Sequence, residues 1–230
     1  NAILKLAKAI TNITKKPMPV QIVEDVKVFI EGMATAQIMP VRKFLKSINN
    51  PHFTDLVINR FPPDKRKAFH AMTRNTVSPN ILSGGNKSNV IPSSASVTLD
   101  CRLLPGQTND DILAELRTRI GDGSIELTVI NSGKPSRMSA DTPLFRLICS
   151  TIEQDFSKAI ALPYMTVGFT DACYYQNLGI TVYGFSPCYF PPNIAFSDLF
   201  HGHNERISTS GFEWGMDIFY RVVKQFVIEE

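Results

Sequence analysis

The stretch SASVTLDCRL at residues 94–103 alternates polar and apolar side chains and decides the fold of the first half of the chain. A period of two is typical of a strand that has one face on a core and the other in solvent. We therefore expect a half-buried strand with Arg102 on its polar face. A run at residues 76–83, which ends at Gly84 and Gly85, predicts its antiparallel neighbour.

A helix is predicted before these strands, and a helical insertion separates it from them. Residues 3–13 carry apolar side chains at helical spacing and are followed by Pro17, which favours a helix that ends before the proline. From about residue 17 to residue 75 the sequence is helix-like but irregular, with breaks at Gly32 and Pro40. We interpret this part as a helical insertion.

A capped helix and one more strand follow the pair of strands. Thr108 and Asp111 have the spacing of a capping box, and Gly121 has the position of a C-cap. Residues 125–129 alternate again and predict a last strand. The order helix, insertion, strand, strand, helix, strand is that of a ferredoxin-like split βαβ domain, and its first strand is expected upstream of residue 1. This domain is predicted over residues 1–133.

Residues 134–230 have the pattern of a second, α/β portion. Thr142 before Pro143 predicts the start of a helix, and Ser208 predicts the cap of a long terminal helix. Short apolar runs indicate strands at 164–167 and 180–185. Strands that alternate with helices are typical of an α/β sandwich. We expect a chain of the α/β (α+β) class.

The composition excludes several classes of protein. The chain has 230 residues, 24 Lys and Arg against 21 Asp and Glu, and a formal net charge of +3. This weak charge argues against a nucleic acid or an anionic membrane as partner. The chain contains no run of about 18 uncharged apolar residues, so no transmembrane segment is predicted. The four cysteines lack the spacing of a zinc ribbon or a redox pair, so a reduced, cytoplasmic protein is expected.

The run LFHGHNERI at residues 199–207 contains the side chains best suited to bind a metal ion. Neutral imidazole is a common zinc ligand, so His201 and His203 are candidates, and Glu205 would orient such a ligand. Zinc takes three or four protein ligands, so this run supplies part of a site at most. The alternative is a polar loop with helix-capping and salt-bridge roles.

Three further segments, in order along the chain, resemble a known enzyme family. Residues 84–92, GGNKSNVIP, with Arg102 after them, are similar to its lid domain, and GFTDA at 168–172 with GITVYGFSP at 179–187 is similar to its C-terminal catalytic segment. The family is that of the di-zinc exopeptidases and amidohydrolases: aminoacylase, acetylornithine deacetylase, succinyl-diaminopimelate desuccinylase, glutamate carboxypeptidase and carboxypeptidase S. The long insertion is most similar to the carboxypeptidase S-like branch.

The resemblance implies a zinc-dependent hydrolase that cleaves the amide bond of a small peptide or N-acyl amino acid with a free carboxylate, by zinc-activated water. It makes His201 a zinc ligand with Glu205 beside it. The complete site of this family holds two zinc ions, and the resemblance places the other ligands and the general base upstream of residue 1. We therefore expect no catalytic base in this chain, one partial zinc site at most, and no activity from the chain alone.

The resemblance also implies roles for the two portions of the chain and for two polar side chains. Residues 1–133 would be the lid and dimerisation domain of a homodimer, and residues 134–230 the C-terminal portion of the catalytic domain. Arg102 would clamp the substrate carboxylate, and Asn89 would donate hydrogen bonds to the same group or to the scissile carbonyl oxygen. The alternatives are a surface salt bridge for Arg102 and a turn role for Asn89.

The sequence leaves alternatives open for the role of Asp171 and for the function of the whole chain. Asp171, after Thr170, either caps the following helix or takes part in catalysis. The chain as a whole is alternatively a non-catalytic module for dimerisation or for peptide binding.

Overall fold

The computed structural model describes residues 1–133, 135–156, 158–191, 199 and 203–228. Within these residues the helices are α1 (Ala2–Thr14), α2 (Glu24–Thr35), α3 (Val41–Lys46), α4 (Pro51–Ile58), α5 (Pro63–Met72), α6 (Asn109–Ile120), α7 (Pro143–Asp155), α8 (Ala172–Asn177) and α9 (Thr209–Ile228), and the strands are β1 (Thr76–Gly84) and β2 (Ala95–Arg102). The mixed class expected from the sequence is confirmed, since helices and a small antiparallel sheet occur in one chain.

The chain forms two compact units, and each consists of two separate stretches of sequence. The sheet unit contains Asn1–Val23 and Ala71–Pro135, and the helical unit contains Glu24–His70 and Ser136–Glu230. Most of the predicted insertion therefore lies in the helical unit. The domain bounds predicted from the sequence, 1–133 and 134–230, stay a prediction.

The sheet of the sheet unit is the predicted pair of antiparallel strands. Thr76 pairs with Arg102 at one end and Gly84 with Ala95 at the other, with a bulge between Pro79 and Ile81. The bulge leaves one extra residue in β1, which bends the strand and interrupts the ladder. β1 is solvent-exposed from residue 78 onward, whereas alternate residues of β2 are partly buried.

Helices α1 and α6 form the core of the sheet unit and pack on one face of the sheet. The buried residues of this core are Ala9, Ile13, Met18, Ile112, Leu116 and Ile120, and the partly buried residues that pack against them are Val77, Leu99, Cys101, Leu103, Ile125 and Leu127. Burial of so many apolar side chains is the main stabilising term for such a unit.

Arg119 fixes the end of α1 to α6. Its guanidinium donates hydrogen bonds to the carbonyl oxygens of Ile13 (3.2 Å), Lys16 (2.6 Å) and Pro17 (2.9 Å), and to a carboxylate oxygen of Glu115 (2.6 Å). The last carbonyls of a helix have no partner within the helix. Arg119 satisfies one of them and anchors the chain beyond it, where α1 ends as predicted.

The helix caps predicted at Thr108, Gly121 and Thr142 are confirmed. Thr108 and Asp111 form a capping box at the start of α6, and Gly121 ends this helix with a φ of 65°. The Thr142 hydroxyl accepts the hydrogen bond of the Phe145 amide at the start of α7. The predicted caps are local patterns of a few residues, which is why the sequence alone identifies them.

The predicted last strand at residues 125–129 is wrong as an element of regular structure. Ile125 and Leu127 are partly buried on the helical core, whereas Val129, the third apolar residue of the alternation, is 45% exposed. No ladder includes this segment among the described residues. A strand requires hydrogen-bond partners on a neighbouring strand, and the sheet described here supplies none to it.

In the helical unit, α7 packs against α9. The Asp155 carboxylate, at the end of α7, accepts a hydrogen bond from Trp214 Nε1 at 2.8 Å and two from Arg221 Nη2, both at 2.8 Å. These bonds hold the pKa of Asp155 below its usual range, chiefly through the Arg221 guanidinium and next through Trp214. The Ser208 hydroxyl accepts the hydrogen bond of the Gly211 amide and caps α9, as predicted.

The extended segment at 187–189 crosses α9 at two glycines. A Cβ atom at Gly211 would overlap the carbonyl oxygen of Tyr189, and a Cβ atom at Gly215 would overlap that of Pro187. The backbone of this segment therefore lies directly on the backbone of the helix, which only glycine permits.

The insertion helices of the helical unit have a core of their own. The fully buried residues in it include Val26, Ile30, Ala34, Ile48, Val57 and Ile58. Phe29 lies 6.4 Å from Phe69 and 5.4 Å from Tyr164 between ring centroids. These aromatic contacts join the insertion to the segment after α7.

The predicted strands at 164–167 and 180–185 are also wrong as regular strands. Both segments lack a ladder in the described structure. The apolar runs that suggested strands pack instead through single side chains, such as Tyr183, whose hydroxyl lies 2.6 Å from that of Thr142. Among the described helices, none is both long enough and apolar enough to cross a membrane.

Candidate functional site

Arg102 is the last residue of β2, and its side chain lies on the polar side of the strand, as predicted. Its Nε atom lies 3.3 Å from Asp100 Oδ2, and 58% of the Arg102 side chain is exposed to solvent. An exposed ion pair of this kind contributes little to stability, roughly 0–1 kcal/mol. The contact with Asp100 is therefore a weak one.

Asn75 fixes the backbone just beyond Arg102. Its side-chain oxygen accepts the hydrogen bond of the Leu104 amide at 2.8 Å, and its Nδ2 atom donates to Gln107 Oε1 at 3.3 Å. Asn75 is buried, and so is Leu104. The end of β2 is thus held by its ladder partner Thr76 and by the side-chain amide of Asn75. A rigid backbone keeps the position of Arg102 well defined.

Cys101 is not a second reactive group beside Arg102. Its side chain lies on the opposite face of β2, against the helical core. Burial, and next the charge of Asp100, raise the pKa of the Cys101 thiol. A thiol that stays protonated is a poor nucleophile, so Cys101 has a packing role.

Asn89 lies in the exposed loop between β1 and β2. The loop leaves β1 at Gly85, which has a φ of 72°, and it is tied to α1 by a 3.3 Å hydrogen bond from the Ala2 amide to the Pro92 carbonyl oxygen. The side chain of Asn89 is therefore accessible to a ligand, but the loop presents it at the Gly84–Ala95 end of the ladder.

The register of the ladder separates Arg102 from the point where the loop that carries Asn89 leaves the sheet. Arg102 pairs with Thr76 at the far end of the ladder from the loop that carries Asn89. From Ala95 to Arg102 the strand rises by about 23 Å, at about 3.3 Å per residue. One carboxylate group is far too small to contact side chains at both ends. The predicted roles of Asn89 and Arg102 in substrate binding stay a prediction.

His201 lies outside the described residues, so its predicted role as a metal ligand is not tested. Glu205 and His203 are both solvent-exposed. Asn204, between them, has a φ of 64°, and its carbonyl oxygen accepts a 3.0 Å hydrogen bond from Arg206. Asparagine is one of the few residues that adopt this left-handed conformation readily, so the segment forms a tight turn there.

The described residues do not form a metal site. Among residues 1–133, 135–156, 158–191, 199 and 203–228, no three His, Cys, Asp or Glu side chains lie together. A structural zinc ion has four protein ligands and a catalytic one has three. The side chains described here thus do not fit a zinc centre by themselves, and we derive no chemical step through a metal.

Asp171 precedes α8, but its side chain makes no capping hydrogen bond. The Thr170 hydroxyl accepts the Ala172 amide instead, at 3.4 Å. Capping by the Asp171 carboxylate, one of the two readings of this residue, is therefore wrong.

Sequence reasoning missed the role of Asn75. Its partner Leu104 is 29 residues away along the chain, so no local pattern marks the contact. Asn75 and Gln107 also line a groove of about 370 Å³ together with Met18, Gln21, Asp111 and Glu115. Asp111 and Glu115 are both engaged, by Thr108 and by the Arg119 guanidinium, and the groove offers no free cation to a carboxylate substrate among its described lining residues.

Known proteins resemble this chain over nearly its whole length. "Probable carboxypeptidase S-like 2" of Dictyostelium discoideum is 29% identical over 228 residues, which are 97% of this chain and 42% of that protein. "N-fatty-acyl-amino acid synthase/hydrolase PM20D1" of Homo sapiens is 28% identical over 224 residues, 95% of this chain and 43% of that protein. The chain spans less than half the length of these curated relatives.

Among solved structures, the M20 family metallo-carboxypeptidase Sso-CP2 from Sulfolobus solfataricus is similar to this chain, with 16% identity and a TM-score of 0.45. The match covers 77% of this chain and 48% of the Sso-CP2 chain. This likeness is slight, and the assignment to a family does not rest on it. Residues 1–128, more than half of the chain, match the M20 family description "Peptidase dimerisation domain". The chain therefore belongs to the M20 peptidase dimerisation domain family.

Proposed function

We propose that this chain is the substrate-binding and dimer-forming part of a metal-dependent hydrolase that cleaves the amide bond of a small peptide or N-acyl amino acid. The printed names of the relatives, a carboxypeptidase and an N-fatty-acyl-amino acid hydrolase, support this class of reaction. Residues 1–133 act as the lid and dimerisation domain, and residues 134–230 as the C-terminal portion of the catalytic domain. The four free thiols are in keeping with a cytoplasmic protein.

The observation that carries the proposal is the exposed guanidinium of Arg102 on a fixed strand end. Arg102 is a planar cation with two parallel donors, and this geometry matches a carboxylate. The Leu104–Asn75 hydrogen bond holds the strand end in place. In the proposed reaction Arg102 binds the free carboxylate of the substrate and positions the amide bond. In the whole protein His201 would supply one ligand of a site for two zinc ions, with Glu205 beside it, and the metal would activate the attacking water.

Variants of Arg102 in the full-length protein test this role. We expect R102A to lower kcat/KM for a carboxylate substrate about 10- to 100-fold, because a hydrogen-bonded charge is lost. R102K should retain an intermediate activity, since it keeps the charge but loses the bidentate geometry. The same substrate with its carboxylate converted to an amide should respond little to either variant. Dialysis against a chelator should abolish hydrolysis of both substrates.

The matched control is R117A, because Arg117 is exposed on α6 in the same unit. It should leave kcat/KM unchanged for both substrates. Equal losses of R102A on the carboxylate and amide substrates would contradict the proposed contact. Such a result would favour the non-catalytic alternatives, a module for dimerisation or peptide binding.

The separation of Asn89 and Arg102 leads to a proposal about the dimer. In a dimer with a two-fold axis, Asn89 of one protomer reaches the substrate that Arg102 of the other protomer holds. In this arrangement one substrate need not span the length of the strand, about 23 Å, because the two side chains approach it from different chains. Asn89 donates to the scissile carbonyl oxygen, and Arg102 binds the carboxylate.

Mixed dimers distinguish the two arrangements. If N89A and R102A chains are co-expressed, half of the dimers are mixed. If each site takes Asn89 from one chain and Arg102 from the other, one site of a mixed dimer has both native residues and the other has both substitutions. Activity should then recover to about a quarter of the wild-type value, whereas each variant alone is impaired. If both residues of one site come from the same chain, every site carries one substitution and no recovery occurs.

A further inference from the structure

Residues 35–44, TAQIMPVRKF, run from the end of α2 into the first part of α3 and form an exposed apolar tip, which we call the insertion tip. Every residue in this range is solvent-exposed. The exposed fraction of the large apolar residues is 79% for Ile38, 63% for Met39, 42% for Val41 and 40% for Phe44. Apolar residues on both sides of the tip, such as Ala34 and Ile48, are completely buried.

The insertion tip has a defined backbone conformation. Arg42 donates hydrogen bonds to the carbonyl oxygens of Ala34 (3.2 Å) and Thr35 (2.8 Å) at the end of α2, and to that of Gln37 (3.1 Å) just beyond it. The Arg42 amide also donates to the Ile38 carbonyl at 3.0 Å. These contacts close the tip into a compact turn. The apolar side chains are thus presented outward by a preorganised backbone.

The charge around the insertion tip is one-sided. Residues 32–54 contain three basic residues, Arg42, Lys43 and Lys46, and no Asp or Glu. The formal charge of this segment, +3, equals the net charge of the whole chain. The low net charge of the chain, which argued against a membrane partner, therefore conceals a local cationic surface. Lys43 and Lys46 are both exposed beside the apolar side chains.

We propose that the insertion tip binds the surface of an anionic lipid bilayer. Large apolar side chains next to lysines, with no acidic residue among them, are typical of segments that lie in a membrane interface. The apolar side chains enter the boundary of the acyl chains, while the lysines remain at the level of the headgroups. The six-residue helix α3 is far too short to span a bilayer, so the contact is superficial.

This inference goes beyond the proposed hydrolysis and does not depend on it. The tip belongs to the helical unit, whereas Arg102 and Asn89 belong to the sheet unit. Binding to lipid can therefore be measured without substrate or metal.

Vesicle sedimentation tests the proposal. The probe is large unilamellar vesicles of phosphatidylcholine alone or with 30% phosphatidylserine, a composition that supplies a negative surface. We expect the full chain to bind the anionic vesicles, to bind neutral ones more weakly, and to dissociate as salt is raised. K43E/K46E should weaken binding to anionic vesicles roughly 25-fold or more, since each cation at such a surface contributes about fivefold.

The apolar half of the contact is tested by I38D/M39D, which should abolish binding to both kinds of vesicle. Two variants match these changes elsewhere. K15E/K16E alters the same charge at the end of α1, and L178D/I180D alters exposed apolar residues in the helical unit. Both controls should bind anionic vesicles as the wild type does. Circular dichroism and thermal unfolding show whether each variant remains folded.

Three outcomes would overturn the proposal. The first is a folded wild-type chain that binds neither kind of vesicle. The second is an equal loss of binding in the control variants. The third is a wild-type dimer that I38D/M39D converts to a monomer in light scattering without any change in lipid binding, because the tip would then be an interface with a second copy.

Discussion

Asp155 links the end of α7 to α9 through its carboxylate. Its carboxylate accepts hydrogen bonds from Trp214 and Arg221, and its side chain is 29% exposed. A partly buried acceptor with two charged or polar donors contributes more than a surface ion pair does. Loss of the charge leaves the Arg221 guanidinium paired with Asp217 alone among its described acidic partners.

We expect D155N to lower the free energy of unfolding by about 1–3 kcal/mol at neutral pH, because one charge-assisted acceptor is lost. The native pKa of Asp155 is lowered, so its stabilising effect is complete above the unfolded pKa of about 3.9 and disappears as the pH falls through the native value. Urea unfolding at pH 7, 5, 4 and 3 should show the wild type and D155N converging in acid. A constant difference between them across this range would contradict the assigned contact. D141N is the control, because Asp141 pairs with Arg146 at an exposed site.

Single residues show which part of the structure a sequence reveals. Thr108, Gly121 and Thr142 were identified as caps because a cap acts over three or four residues. Asn75 was missed because its hydrogen bond to Leu104 joins positions that no periodic pattern relates. For the candidate site, Arg102 is where the alternation of β2 predicted it, but its distance from Asn89 follows from strand register, which a motif does not contain.

At the scale of elements, α9 depends on two positions that have no side chain. Gly211 and Gly215 lie one turn apart and leave room for the backbone of residues 187–189.

The strand predictions failed because a strand needs a partner that the local sequence does not reveal. Residues 125–129 have the right alternation, but a strand exists only with a neighbour to pair with. Periodicity identified Ile125 and Leu127 as partly buried, but only pairing with a neighbouring strand produces a ladder.

We expect G215A to lower the free energy of unfolding by about 2 kcal/mol or more, because the new methyl group overlaps the Pro187 carbonyl and the segment must move. G123A is the matched control, since no atom lies within 4 Å of the corresponding Cβ position. It should stay within about 0.5 kcal/mol of the wild type. Thermal and urea unfolding of both variants provide the measurement. A stable G215A protein would show that the close crossing does not occur in solution.

At the scale of the whole molecule, the edge of β1 is the surface on which the proposed dimer depends. Pro79 has no amide hydrogen, and the bulge after it breaks the ladder, so the first half of this edge is poorly suited to pairing. The second half, from Ile81 to Gly84, is regular and exposes Ile81 and Leu82. A second copy related by a two-fold axis would pair along these residues.

I81K/L82K should convert the proposed dimer to a monomer, because the two-fold axis places like charges opposite each other. Light scattering of the full chain measures the mass. I130K is the control, since Ile130 is 80% exposed and lies outside the strands. A dimer that survives I81K/L82K, or a wild-type chain of monomer mass, would exclude pairing through this edge.

The division into two interleaved units has a consequence for synthesis of the protein. The sheet unit begins with α1 but needs α6 to close its core, and Arg119 contacts Ile13 across a separation of 106 residues. The helical unit begins at Glu24 and needs α9. Neither unit is complete when its first stretch leaves the ribosome. The apolar faces of α1 and of the insertion therefore stay exposed to solvent until later segments have been made. We therefore expect the nascent chain to be a client of chaperones that shield such faces until the C-terminal helix has been made.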